Sequence, residues 1–226
     1  MNATLQPKLN NVADLMRHLA IAPERIRLKP TPGEATEEDA IQNKHCELID
    51  GVLVEKPMGY YESRLAFVLI QILGDYLDNN DIGIGLDGTG MIRVAEEQIR
   101  LPDVSFLSWD HFPGRKLPPG QILDVVPDLA VEILSPTNTK KEMSRKRREY
   151  FAGGAKLVWE ADPAKRSVEV FSAPDVSTTL DENGTLDGGG VLPGFSLPIR
   201  AWFVRTGERA VSERPLLAQA KSRPSS

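Results

Sequence analysis

A chain of 226 residues with 41% apolar side chains can bury the core of one ordinary domain, which excludes wholesale disorder. Its formal net charge of −5 argues against a broad electrostatic grip on nucleic acid, although local charge, not the total, governs a cleft. A single cysteine excludes an internal disulfide and, with no membrane-length apolar run and no secretory-type start, sets the expectation of a cytoplasmic protein without membrane partners.

Residues 1–45 read as a partly helical leader. A short helix is expected over 12–19, Pro30-Thr31-Pro32-Gly33 breaks it, and Thr36-Glu37-Glu38-Asp39 has the composition of a second helix start. The domain proper is expected over 46–204. It opens with a hairpin over 47–55 turning at Asp50-Gly51, a strong two-residue turn signal. The period then becomes helical over 61–77, where Leu65, Leu69, Ile72, Leu73 and Tyr76 form one stripe. Short strands follow over 91–94, 98–100 and 104–107, then a Pro- and Gly-rich loop over 110–127.

Residues 129–134, almost entirely apolar, read as a buried central strand. Thr139-Lys140-Lys141-Glu142 has capping-box spacing and predicts a helix over 140–152, closed by Gly153-Gly154. Strands over 157–161 and 167–171 flank the turn Asp162-Pro163, so strand, helix and strand make a right-handed βαβ unit. A Gly-rich loop over 181–190 follows, Val191-Leu192-Pro193-Gly194-Phe195 docks back, and 205–226 is expected as a flexible tail.

Two residues break the rules of this plan, and such breaks are where function tends to sit. Glu132 interrupts the apolar strand, and a carboxylate carried into a dry interior needs a cation, donors or a proton. Lys146 falls on the helix face shared by Met143, Arg147, Tyr150 and Phe151, which is the face that packs on the sheet. From Thr139 to Lys146 a helix rises about 10 Å. Two strand residues beyond Glu132 cover about 7 Å, so Lys146 returns to the level of Glu132. The pair alone also has a plainer reading, a structural ion pair. Asp103, after Pro102, adds a second carboxylate if the strand over 103–107 pairs with that over 129–134. Two carboxylates, a main-chain carbonyl and waters suit Mg²⁺. A nearby lysine can orient a water or offset charge on phosphorus.

The spacing of Asp103 and Glu132 resembles the Asp…(Asp/Glu)-X-Lys arrangement of the PD-(D/E)XK nuclease superfamily. More closely, the chain is similar to the bacterial family of Uma-type "putative restriction endonucleases". The similarity is carried by Glu47-Leu48-Ile49-Asp50-Gly51, Arg100-Leu101-Pro102-Asp103-Val104-Ser105-Phe106, Pro127-Asp128-Leu129-Ala130-Val131-Glu132-Ile133-Leu134-Ser135-Pro136, Lys146-Arg147-Arg148-Glu149-Tyr150 and Val158-Trp159-Glu160-Ala161-Asp162-Pro163, in that order, within about 35–205. It implies an α/β, restriction-endonuclease-like mixed central sheet flanked by helices, with an N-terminal hairpin extension. It also implies an endonuclease acting on nucleic acid, with DNA as the expected substrate, Mg²⁺ as cofactor (Mn²⁺ a substitute), and a homodimer for cutting both strands. The metal would be held by Asp103, Glu132 and the main-chain carbonyl of Ile133. Leu134 stands where the superfamily has its lysine, and Lys146 takes that role. Glu62 and Glu47 are further acidic candidates, Glu62 with an exposed helix start as its alternative and Glu47 with a structural hydrogen bond. The competing functions are a non-catalytic binding or assembly protein of the same fold and a hydrolase of another phosphorylated substrate.

The remaining candidates have plainer readings. Cys46 reads as a packing residue, Asp128 as a turn or cap, and His18, His45 and His111 are scattered. Asp187-Gly188-Gly189-Gly190 lacks the context of a phosphate loop. Lys140, Lys141, Arg145, Lys146, Arg147 and Arg148 read either as a solvated helix face or as a local source of positive potential.

Overall fold

The computed structural model describes residues 12–56 and 58–207. Helix α1 (Val12–Leu19) forms where the sequence predicts it, and its Leu15 and Leu19 pack with Ile21 against Ile49, Val52 and Val54. Helix α2 (Glu37–Gln42) starts from a reciprocal cap: the Thr36 hydroxyl accepts from Asp39 N–H, and the Asp39 carboxylate accepts from Thr36 N–H at 2.8 Å. Strands β1 (Cys46–Ile49) and β2 (Val52–Glu55) make the expected hairpin. Asp50 and Gly51 have φ of 50° and 71°, as a two-residue type I′ turn demands. A side chain on Gly51 would also press to 2.7 Å on the Gly33 backbone, so glycine is required twice over.

Helix α3 (Tyr60–Asn79) follows, then strands β3 (Gly83–Asp87), β4 (Met91–Ala95), β5 (Gln98–Arg100), β6 (Val104–Ser108), the two-residue β7 (Ile122–Leu123) and β8 (Leu129–Ile133). Helix α4 (Lys140–Ala152) carries the capping box read from Thr139 and Glu142 and ends at Gly153. Strands β9 (Leu157–Asp162), β10 (Ser167–Ala173) and β11 (Val176–Leu180), the ribbon β12 (Thr185–Asp187) with β13 (Ser196–Pro198), and helix α5 (Ile199–Thr206) complete the described chain. The expected tail lies, from residue 208 onward, outside the described residues; Arg205 and Thr206 belong to α5.

The principal sheet has six strands in the order β11-β10-β9-β8-β6-β3, and β8 and β9 are its parallel pair, joined through α4. The sheet is therefore mixed, as the resemblance implies. The hairpin is more than an extension. It belongs to a second, five-stranded sheet, β2-β1-β5-β4-β7, whose two-residue β7 falls in the stretch read as a loop.

Period-two alternation divides the principal sheet. Leu129, Val131 and Ile133 of β8 face α3 and α5, in a core with Leu65, Leu69, Phe106, Trp159, Trp202 and Phe203. Ala130, on the opposite face, packs with Tyr150, Val158 and Phe171 and with Ile92 and Val94 of the second sheet. The 181–195 segment contributes Leu186, Leu192 and Phe195 to the first core, so the docking of 191–195 is as expected. Helix α5 was not foreseen. Its Trp202 is fully buried and donates its ring N–H to the Leu65 carbonyl at 3.0 Å, fixing α5 on α3. Among the described residues no helix is long and apolar enough to cross a membrane.

Trp202→Ala removes the largest side chain joining α5 to α3 and orphans the Leu65 carbonyl contact. A loss of about 3–5 kcal/mol is expected, read as a lower midpoint in urea unfolding.

Candidate functional site

Strand register brings the two carboxylates together. Strands β6 and β8 are antiparallel with Val104 opposite Val131. Just beyond that pair, Asp103 donates its N–H to the Val131 carbonyl at 2.9 Å, and its side chain lines one small cavity with Glu132. Asp103 accepts the Ile133 N–H through Oδ2 at 2.6 Å, and its Oδ1, buried, receives no aligned hydrogen bond. Lys56, just beyond β2, lies 2.8 Å from that Oδ1 and 3.6 Å from Glu132 Oε2. Its ammonium also donates to the Leu101 carbonyl.

Helix α4 supplies the second cation by the route the spacing predicts. Lys146 is 1% exposed, and its Nζ sits 3.2 Å from both oxygens of Glu132 and 2.9 Å from Glu47 Oε1. Tyr150, one turn on, donates to Glu132 Oε1 at 2.6 Å. Glu47 takes a further hydrogen bond from Arg100 at 2.9 Å, and Arg100 is held in turn by Glu149 at 2.7 Å. The result is a buried lattice of three carboxylates (Glu47, Asp103, Glu132) and three cations (Lys56, Lys146, Arg100).

Burial and pairing drive the two facing carboxyls in opposite directions. For Asp103, burial pushes the carboxyl up and the neighbouring Glu132 adds to the rise, against Lys56 and the Ile133 N–H. For Glu132, burial is outweighed by Lys146 and Lys56, which hold it below the ordinary range. Glu47 is likewise held well below its ordinary 4.5, since Lys146, Arg100 and Lys56 overcome its desolvation. Lys146 rises well above the usual lysine range because Glu132 and Glu47 more than offset its burial.

Asp103, Glu132, Lys146 and Glu47 are thus brought into one cluster. Ile133 and Glu62 line the same small cavity, of about 20 Å³, together with Lys56, Ser135, Asn138 and Arg25. Glu62 is 6% exposed, so the expectation of an exposed helix start is corrected. Its carboxylate turns back toward the start of α3, where a Cβ on Gly59 would overlap it. The small cavity is flanked by a larger one of about 470 Å³, lined by Lys56, Asp103, His45, Met58, Phe67 and Thr89.

Several participants escaped the sequence reading. Lys56 could have been found by parity: Glu47 and Ile49 pair with Val54 and Val52, and Lys56 continues that face of the hairpin. Arg25 comes from the leader and forms a buried bidentate pair with Glu142, at 2.8 and 3.0 Å, with no local signal. Asp128 takes the cap role expected of it, accepting the Ser108 N–H at 2.8 Å and pairing with His111 and Lys156. Cys46 packs in the core beside Leu48 and Leu53. The basic cluster of α4 is neither a wholly solvated face nor a free positive patch. Arg145 pairs with Asp50 and Glu149, Arg147 with Glu160, and Lys141 donates to the Arg17 carbonyl.

The donor chemistry fits a single hard cation. Two buried carboxylates, Asp103 and Glu132, line a cavity the size of one water or ion, and the Lys56 ammonium already stands as a cation between them. Among the described residues no three His, Cys, Asp or Glu side chains form a metal cage, so most of the coordination shell would be water or substrate.

A model of the Uma2 family, described as "Putative restriction endonuclease", matches residues 36–200. A solved structure, "a putative nuclease belonging to DUF820" from Anabaena variabilis, superposes with a TM-score of 0.62 at 18% identity, covering 71% of this chain and 90% of that one. That likeness is one of fold. No curated protein matches the chain.

A carboxyl held below its unfolded-state pKa stabilises the fold above that value, and the contribution drains away as pH falls. Glu47 is such a group, whereas Asp103, displaced upward, contributes with the opposite sign. Urea unfolding should therefore show stability declining below about pH 4.5, and Glu47→Gln should flatten that acid limb. At neutral pH the same variant should lose about 3–5 kcal/mol, because it removes one of the two carboxylates that hold each of Lys146 and Arg100.

Proposed function

The chain belongs to the Uma2 family of restriction-endonuclease type, and on that premise we propose that it is a metal-dependent endonuclease hydrolysing phosphodiester bonds of DNA. The observation that carries the reading is that Asp103 and Glu132, both buried, line one small cavity and share the Lys56 ammonium at 2.8 and 3.6 Å. Asp103, Glu132 and the Ile133 carbonyl would hold Mg²⁺, or Mn²⁺ in its place. When bound, such an ion acidifies a coordinated water and offsets charge on the scissile phosphate.

The protein's own groups have definable tasks in this scheme. Ile133 N–H fixes one oxygen of Asp103, and the other meets the Lys56 ammonium. Tyr150 and Lys146 fix Glu132 and keep it ionised, while Glu47 keeps Lys146 charged and in place. Lys146 lines the cavity and can hold the attacking water. The larger cavity gives a backbone phosphate access to Asp103. Cutting both strands of a duplex calls for two such sites, so the proposal includes a homodimer, and the cytoplasm is its proposed location.

Plasmid, single-stranded DNA and RNA incubated with Mg²⁺ or Mn²⁺ test the reading. Cleavage of DNA should require the metal and fall by about 10²-fold or more in Asp103→Asn, Glu132→Gln and Lys146→Met, each checked for folding by circular dichroism. Cleavage that survives Asp103→Asn would overturn it. Hydrolysis confined to small phosphodiesters would move the substrate to another phosphorylated compound. No hydrolysis and no calorimetric Mn²⁺ uptake would leave a binding or assembly protein.

A further inference from the structure

Lys56 occupies an unusual place. Its ammonium contacts one carboxylate oxygen of Asp103, one of Glu132 and the main-chain carbonyl of Leu101. That is an oxygen set of the kind a hard divalent ion prefers. Asp103 Oδ1, the atom nearest the ammonium, has ion-pair distance but no aligned hydrogen bond, so Lys56 fills the position by charge more than by fit. Its side chain lines both the small cavity and the larger cavity that opens beside it.

Charge counting sharpens the point. Glu47, Asp103, Glu132 and Glu149 are already matched by Lys56, Lys146, Arg100 and Arg145 at ion-pair distance. A divalent ion added to this lattice would leave two uncompensated positive charges in a dry interior, which is strongly disfavoured. Lys146 and Arg100 cannot yield, because each is clamped between two carboxylates and fully buried. Lys56, 10% exposed and bordering open space, can.

We propose that Lys56 is a resident counter-cation of the site, and that a divalent metal ion binds by displacing its ammonium into the larger cavity. There the displaced amine borders open space where a backbone phosphate would enter, and it can pair with the phosphate's negative charge. This inference rests on the metal-site reading above and assigns Lys56 a role on both sides of the exchange: it stabilises the carboxylates without metal and faces the substrate with it.

The deciding measurement uses the unaltered protein. Amine acylation by a succinimidyl ester is followed residue by residue by mass spectrometry, with and without saturating Mn²⁺, and exposed Lys165 serves as internal reference. Lys56 should be protected without metal and become several-fold more reactive with it. Calorimetry supplies the second arm: Lys56→Met should take up Mn²⁺ about tenfold more tightly than wild type. If wild type binds Mn²⁺ in an Asp103-dependent manner yet Lys56 reactivity is unchanged or lower, the displacement is wrong and the metal site stands. If neither wild type nor Lys56→Met binds Mn²⁺, both readings fall. Weaker binding by a folded Lys56→Met would also overturn the exchange, since it would make Lys56 a supporter of the ion and not its rival.

Discussion

Three carboxylates cannot share a desolvated interior unless cations stand at contact distance, and this constraint organises the molecule around β8. Antiparallel register with β6 brings Asp103 to the cavity that Glu132 lines, and the capping box at Thr139 starts α4 where its second turn delivers Lys146 to the same level. The hairpin then has to supply Glu47 to satisfy Lys146, and β5 has to supply Arg100 to satisfy Glu47. The second sheet is thus tied to the first through ion pairs as well as apolar contact. Arrangements of this kind contribute little net stability over an apolar core, so their persistence is better explained by what the cluster can do.

The electrostatics of the cluster bear on how a chain of net charge −5 could handle a polyanion. The arginines and lysines of α4 are largely committed to intramolecular partners, so the helix offers no broad basic surface. Attraction for a phosphate would have to arise locally, at the junction of the two cavities, where Lys56 and Asp103 meet. Binding of that type is short-ranged and would depend on completing the site, which is a different regime from counterion release along a basic groove.

Much of this was legible in the sequence because it is written locally. The apolar run broken by Glu132, the Thr139–Glu142 cap and the face shared by Met143, Lys146 and Tyr150 are features of one strand and one helix, and the structure reproduces them. What was not legible depends on pairing between distant segments. Lys56 reaches Asp103 from just beyond a strand of the other sheet, and beside a proline it reads as an ordinary loop residue. Arg25 reaches Glu142 across 117 positions. The two residues of β7 carry no period at all and fall in a stretch read as loop, and α5, which carries Trp202, was not foreseen. Glu62 was misjudged because its burial depends on the cavity that β8 and α4 close over it.

The buried pair between Arg25 and Glu142 gives the leader a meaning its irregular sequence hides. Glu142 is also the residue whose carboxylate completes the cap of α4, so one side chain serves both the helix start and the distant arginine. Thr139 and Lys141 add hydrogen bonds to the carbonyls of Ala20 and Arg17. The segment ahead of residue 36, outside the stretch the family model spans, therefore works as a splint on the helix that aims Lys146. Proteolytic trimming of that segment would leave a dry carboxylate at the root of α4 and loosen the amine one turn away without touching a single residue of the cluster.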